Sequence, residues 1–109
     1  MTDRVKLGRN SKSRAKGYER EAAKILGGQR FPADTGKLLD VEHSYLAIQV
    51  KSGLQPARAL REGLDEAQRG APIGYLPCVV LFDRTGTTLR RTITFDLQQF
   101  ADYHGLGND

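Results

Sequence analysis

Asp40, with Gln49-Val50-Lys51 beginning nine positions later, brings together a carboxylate, an amide oxygen and an ammonium group. These are the residue types of metal-assisted phosphodiester hydrolysis. A hard divalent ion such as Mg²⁺ takes oxygen ligands and keeps several waters. One carboxylate, an amide or main-chain carbonyl and the phosphate oxygens of a substrate therefore suffice to hold it. A lysine beside the attacking water or the scissile phosphate offsets the charge that develops in the transition state. Asp40, Gln49 and the Val50 carbonyl are the candidate ligands, and Lys51 is the candidate electrostatic catalyst.

Two strands must position these groups. The run Tyr45-Leu46-Ala47-Ile48-Gln49-Val50 is apolar enough to be a buried strand. Because side chains alternate across a strand, Gln49 and Lys51 share one face while Leu46, Ile48 and Val50 share the other. The link Glu42-His43-Ser44-Tyr45 is short, so Asp40-Val41-Glu42 is expected to pair with it as an antiparallel hairpin. That pairing would bring Asp40 beside Gln49 and Lys51 at one edge of the sheet.

Leu39-Asp40-Val41 and Gln49-Val50-Lys51 resemble the two halves of the motif of the PD-(D/E)xK nuclease superfamily. Two branches contribute. Lys16-Gly17-Tyr18-Glu19-Arg20-Glu21 is similar to the Gly-x-x-x-Glu-Arg-Glu helix start of the archaeal-type Holliday junction resolvases. Ile48-Gln49-Val50-Lys51-Ser52 is similar to the Gln-x-Lys motif of Mrr-type restriction endonucleases, in which glutamine replaces the usual glutamate. The motifs span residues 17–53, and Leu39 stands where the family usually has proline.

The resemblance implies a restriction-endonuclease-like core and a Mg²⁺-dependent endonuclease, with Mn²⁺ able to substitute. It also implies a helix acid completing the metal site. Glu19, which falls within the apolar arc of its helix, is preferred to Glu21 at the arc's outer edge. Glu42 stays open as a third acid, since on a strand it shares a face with Asp40. A lone helical glutamate also has a structural reading, in which Lys51 or an arginine satisfies it. Thr35 is the nearest match to the small hydroxyl residue with which the resolvase branch holds the substrate backbone. Thr35 and Lys37 are therefore expected phosphate contacts, although an ordinary Asp-Thr-Gly turn accounts for the same residues.

Charge points to the same partner. Of the formal net charge of +4, residues 1–30 carry +6, nine basic side chains against Asp3, Glu19 and Glu21, and the remainder carries −2. Lys12, Arg14, Lys16, Arg20 and, at the end of the catalytic strand, Ser52 are the expected DNA-contacting residues. Counterion release would favour such contacts.

The 109 residues suit one domain, expected as a basic flexible arm over 1–12 and a nuclease-like domain over 13–109. No apolar run approaches the roughly 18 residues of a membrane span, and no secretory leader is evident. One cysteine, Cys78, cannot form an internal disulfide, so a cytoplasmic setting is expected, cellular or phage-encoded. Cys78 reads as a buried strand residue, and His43 and His104 as turn or surface residues without zinc-ligand spacing.

Around the site, the pattern predicts a helix over 13–26 ended by Gly27-Gly28, a helix opened by Pro56, and a strand over 76–82. A turn over 83–86, an alternating strand over 87–95 and a helix capped by Asp96 and Gln99 follow. On the second helix Ala57, Leu60, Leu64 and Ala67 form the apolar stripe, with Glu62, Asp65 and Glu66 interleaved among arginines on a solvated face. The resulting α/β (α+β) order is α-β-β-α-β-β-α, a mixed sheet flanked by helices. The expected function is a homodimeric endonuclease cutting branched DNA such as a four-way junction. The alternatives are an Mrr-like or nicking enzyme on duplex DNA and a catalytically degenerate DNA-binding module.

Overall fold

The computed structural model describes residues 2–31, 38–53 and 55–107, with side chains from Arg14 onward. The chain runs α1 (Thr2–Leu26), β1 (Gln29–Arg30), β2 (Val41–Glu42), β3 (Leu46–Ser52), α2 (Pro56–Gly70), β4 (Leu76–Thr85), β5 (Thr88–Thr94) and α3 (Leu97–His104). The five strands form one sheet in the order β1-β2-β3-β4-β5. All neighbours are antiparallel except β3 and β4, which α2 joins as a parallel pair. The architecture is α+β, a mixed sheet flanked by helices.

Alternation along β3 sorts its side chains between two layers. Leu46, Ile48 and Val50 join Val41, Cys78, Val80 and Phe82 beneath Ala22 and Ala23 of α1. On the opposite face Ala47 packs with Leu39 and with Ala67 of α2. Burying a side chain such as Ile48 or Phe82 contributes about 1.5–3 kcal/mol. These layers, rather than the exposed Arg58–Glu62 pair one turn apart on α2, hold helices to sheet.

Glycines permit the closest approaches. Gly27 ends α1 with φ of +76°, and the Gly28 N–H donates to the Ala23 carbonyl at 2.8 Å. A Cβ at Gly28 would collide with the Glu42 carbonyl oxygen, so only glycine lets the helix end meet β2. Gly63 is buried, and a Cβ there would lie 2.8 Å from a Val79 methyl.

Several expectations are corrected. Helix α1 begins at Thr2 rather than at residue 13; once a helix is anchored by packing, propagation adds a hydrogen bond per residue. Ala57, expected in the apolar stripe of α2, is exposed at the start of the helix. Strand β1 was absent from the expected order because two polar residues carry no alternation. The β4–β5 turn sits at Gly86-Thr87 rather than over 83–86. Gly86 has φ of +61°, matching a two-residue hairpin with glycine at its first central position.

Other expectations hold. Asp96 caps α3 by accepting from the Gln99 N–H at 3.0 Å, and Gly105 closes it with φ of +66°. Cys78 is fully buried, and burial pushes its thiol up to about 12, so it is a packing residue. Among the described residues no helix is long and apolar enough to cross a membrane.

Candidate functional site

The β2–β3 hairpin brings the sequence-expected groups together. Val41 pairs with Ile48, and the Asp40 N–H donates to the Ile48 carbonyl at 3.0 Å. Asp40 therefore lies just before β2, level with Gln49 and Val50. Its Oδ2 accepts the Val50 N–H at 2.8 Å, which fixes the carboxylate against the strand that carries Lys51.

His43 secures the turn between these strands. Its Nδ1 accepts the N–H groups of Tyr45 and Leu46 at 3.2 and 3.1 Å. That leaves Nε2 as the protonated nitrogen, 2.9 Å from the Leu26 carbonyl at the end of α1. The turn reading of His43 is correct, with the added role of tying hairpin to helix.

Lys51 emerges on the α2 face. A Cβ on Gly63 would lie 3.3 Å from its Cγ, so the missing side chain opens the channel along which the lysine stem runs. One turn further along α2, Glu66 receives the ammonium, with Nζ 3.2 Å from each carboxylate oxygen. Glu66 was expected on a solvated face, yet it is only partly exposed and faces the site. Its spacing of three from Gly63 is the one sequence signal of that placement, and it has meaning only once α2 is laid over β3.

Glu19 approaches from the α1 side and is held by Arg30 of β1, Nε to Oε2 at 2.6 Å. An arginine is thus the partner that a half-buried helical acid requires. Glu21 instead pairs with Arg91 of β5 at 2.7 Å, and Glu42 is exposed on β2 opposite Gln29. Of the three candidate acids, Glu19 is the one whose charge acts on Asp40 together with that of Glu66.

Asp40 is raised from its ordinary 3.8 to about 6. Burial is the largest cause; the Val50 N–H opposes it, the Glu19 carboxylate adds to it, Lys51 opposes it and Glu66 adds to it. Three carboxylates, the Lys51 ammonium and the Arg30 guanidinium thus share this end of the sheet. A cation placed there would offset the burial, and the lesser repulsion from Glu19 and Glu66, that disfavour ionised Asp40.

The residues present fit a hard cation. Asp40, the Gln49 amide and the Val50 carbonyl supply oxygen donors of the type Mg²⁺ prefers, with Glu19 as the nearest further acid. Gln49 is 3% exposed, in the wall of the site under α2. Among the described residues no three His, Cys, Asp or Glu side chains gather as a ready-made metal cage. An ion here would depend on amide, main-chain, water and substrate oxygens.

The expected substrate contacts are scattered. Arg14, Lys16 and Arg20 are exposed on α1, and Ser52 is exposed at the end of β3. Thr35, Lys37 and the side chain of Lys12 lie outside the described residues. Arg30 and Glu66 are the site residues that sequence reasoning did not assign. Compared with models of protein families, with curated proteins and with solved structures, the chain gave no match.

Proposed function

We propose that the chain is a Mg²⁺-dependent DNA endonuclease with a restriction-endonuclease-like core, selective for branched DNA and acting as a homodimer. The observation that carries this reading is the locking of Asp40 to the Val50 N–H, which fixes a carboxylate beside Gln49, the Val50 carbonyl and Lys51. Bound Mg²⁺ would polarise the phosphate and lower the pKa of a water. Asp40, Gln49, the Val50 carbonyl and Glu19 would hold it.

Lys51 binds the scissile phosphate and balances the negative charge gained in the transition state. Glu66 aims the ammonium before substrate arrives. The helix basic residues, together with Ser52 and, by resemblance, Thr35 and Lys37, hold the backbone on either side. Selectivity for branched DNA rests on the resemblance of Lys16-Gly17-Tyr18-Glu19-Arg20-Glu21 to the resolvase helix start.

One observation favours the competing reading of a non-catalytic DNA-binding module. Glu19 and Glu66 are each neutralised by the chain's own cations, Arg30 and Lys51. End-labelled four-way junction, flap and linear duplex DNA, incubated with the protein in Mg²⁺ or EDTA beside a Lys51→Ala variant, separates the two. Paired cuts in the junction that require both Mg²⁺ and Lys51 support the resolvase-like enzyme. Binding without cuts in Mg²⁺ or Mn²⁺ supports the binding module.

A further inference from the structure

The β4–β5 hairpin overhangs the sheet at the end where the candidate site lies. Strand β3 finishes at Ser52, level with Phe82, whereas β4 continues through Asp83, Arg84 and Thr85 before turning. At about 3.3 Å per residue the tip reaches roughly 10 Å past the end of β3. Lys51 lies level with Leu81, so the hairpin rises beside the lysine from the neighbouring strand.

The tip is built for an anionic backbone. Arg84, Thr85, Gly86, Thr87, Thr88 and Arg90 are all exposed. Among the described residues neither Arg84 nor Arg90 forms an ion pair. Asp83 lies directly across the ladder from Arg90, and the tip keeps a net positive charge. Hydroxyls, guanidinium groups and an unhindered glycine are the donors that contact phosphate. The Leu89 side chain alone turns inward, against the core.

Helix α1 supplies the other side. Its Tyr18 stacks on Phe82 with ring centroids 4.4 Å apart, while the Leu26 carbonyl meets His43 at the opposite end of β3. The helix therefore runs antiparallel to β3, and Arg14 and Lys16 come before the stacked Tyr18 at the end where the hairpin projects. The candidate site lies at this same end of the sheet.

We infer that the β4–β5 hairpin is a phosphate-gripping arm that lies along the substrate backbone, with Arg84 on the face it shares with Leu89 and Arg90 on the opposite face beside Asp83, while Arg14 and Lys16 of α1 hold an adjoining flank. This rests on DNA being the partner, as the proposed function has it, but not on cleavage. Each phosphate contact releases condensed counterions, so the arm contributes to the slope of log affinity against log salt.

The test measures binding of the full chain to a four-way junction in EDTA across a salt series. The wild type is compared with Arg84→Ala/Arg90→Ala, with Arg14→Ala/Lys16→Ala, and with Arg69→Ala. Arg69 is exposed near the C-terminal end of α2, remote from the tip, and serves as a bulk-charge control. The hairpin double variant is expected to bind more weakly and to lower the slope by roughly two, one per contact, with Arg69→Ala near wild type. A hairpin variant indistinguishable from wild type overturns the arm, and so does an equal loss in Arg69→Ala. Circular dichroism of each variant shows that the fold is kept. Because the assay contains no divalent ion, a slope that falls as expected beside a wild type that never cuts in Mg²⁺ refutes the nuclease and leaves the arm standing.

Discussion

Lys51 Nζ lies 3.2 Å from each carboxylate oxygen of Glu66, reaching it across Gly63 of the helix that crosses from β3 to β4. Two residues 15 positions apart in sequence, one on a strand and one on a helix, thereby form one charge pair at the end of the sheet. The first prediction follows from it. On the nuclease reading proposed above, Glu66→Gln should lower the cleavage rate at saturating substrate more than it raises KM, since an amide restrains the ammonium less firmly. Steady-state kinetics on a junction substrate reads the split. A double-mutant cycle of Lys51→Ala with Glu66→Ala should give a coupling of about 0.5–1 kcal/mol in urea unfolding, the pair being partly exposed.

Gly63→Ala sets two effects against each other. Alanine improves helix propensity by about 1 kcal/mol, but its Cβ would stand 2.8 and 3.0 Å from the Val79 methyls. Overpacking of this kind costs about 1–3 kcal/mol, so the net change is destabilising. Urea unfolding should show a lower midpoint, and on the proposed nuclease reading the displaced Lys51 stem should reduce cleavage beyond the loss of folded protein. An unchanged midpoint would mean that α2 moves away from the sheet at little cost.

Asp40 gives a pH signature. Its folded pKa of about 6 is above its ordinary 3.8, so the folded state binds the proton more tightly. The associated stability is fully present below about 3.8 and is lost as pH rises through about 6. Asp40→Asn keeps an acceptor for the Val50 N–H and removes the titration. The variant should be more stable than wild type at pH 7–8, by about 1–2 kcal/mol after discounting for the carboxylate's partial exposure, with the gain gone near pH 4. Thermal unfolding across that range checks it, and a gain that persists at pH 4 would contradict it.

His43 holds the hairpin turn through two accepted N–H groups and one bond to the end of α1. His43→Ala leaves these backbone groups without their partner and should destabilise the fold by about 1–3 kcal/mol. His43→Gln, which can restore one bond, should recover part of the loss. Denaturant melts of the two variants rank them, and equal losses would show that packing rather than hydrogen bonding matters here.

The local punctuation of this chain was legible in its residues. Gly27-Gly28 as a helix stop, Pro56 as a helix start, Asp96 as a cap and the alternation of 46–51 each act through the backbone within a few positions, and each is found. The neighbourhood of Asp40 with Gln49 and Lys51 was equally legible, because a short antiparallel hairpin leaves little freedom of register.

Other contacts depend on elements distant in sequence. Strand β1 has two residues and exists because β2 offers them a ladder, which is why Arg30 counted only as one more basic residue until it was found on Glu19. Glu66 read as a solvated helix acid, since the pattern on α2 could not say that its Gly63 edge lies over Lys51. The sequence by itself determined which groups sit at the ends of β2 and β3 and on which face of each strand, since φ/ψ preferences and side-chain alternation are local. Only the tertiary structure decided which of Glu19, Glu21, Glu42 and Glu66 bear on Asp40, because Coulombic coupling depends on distance in space, set by how closely two helices pack on the sheet.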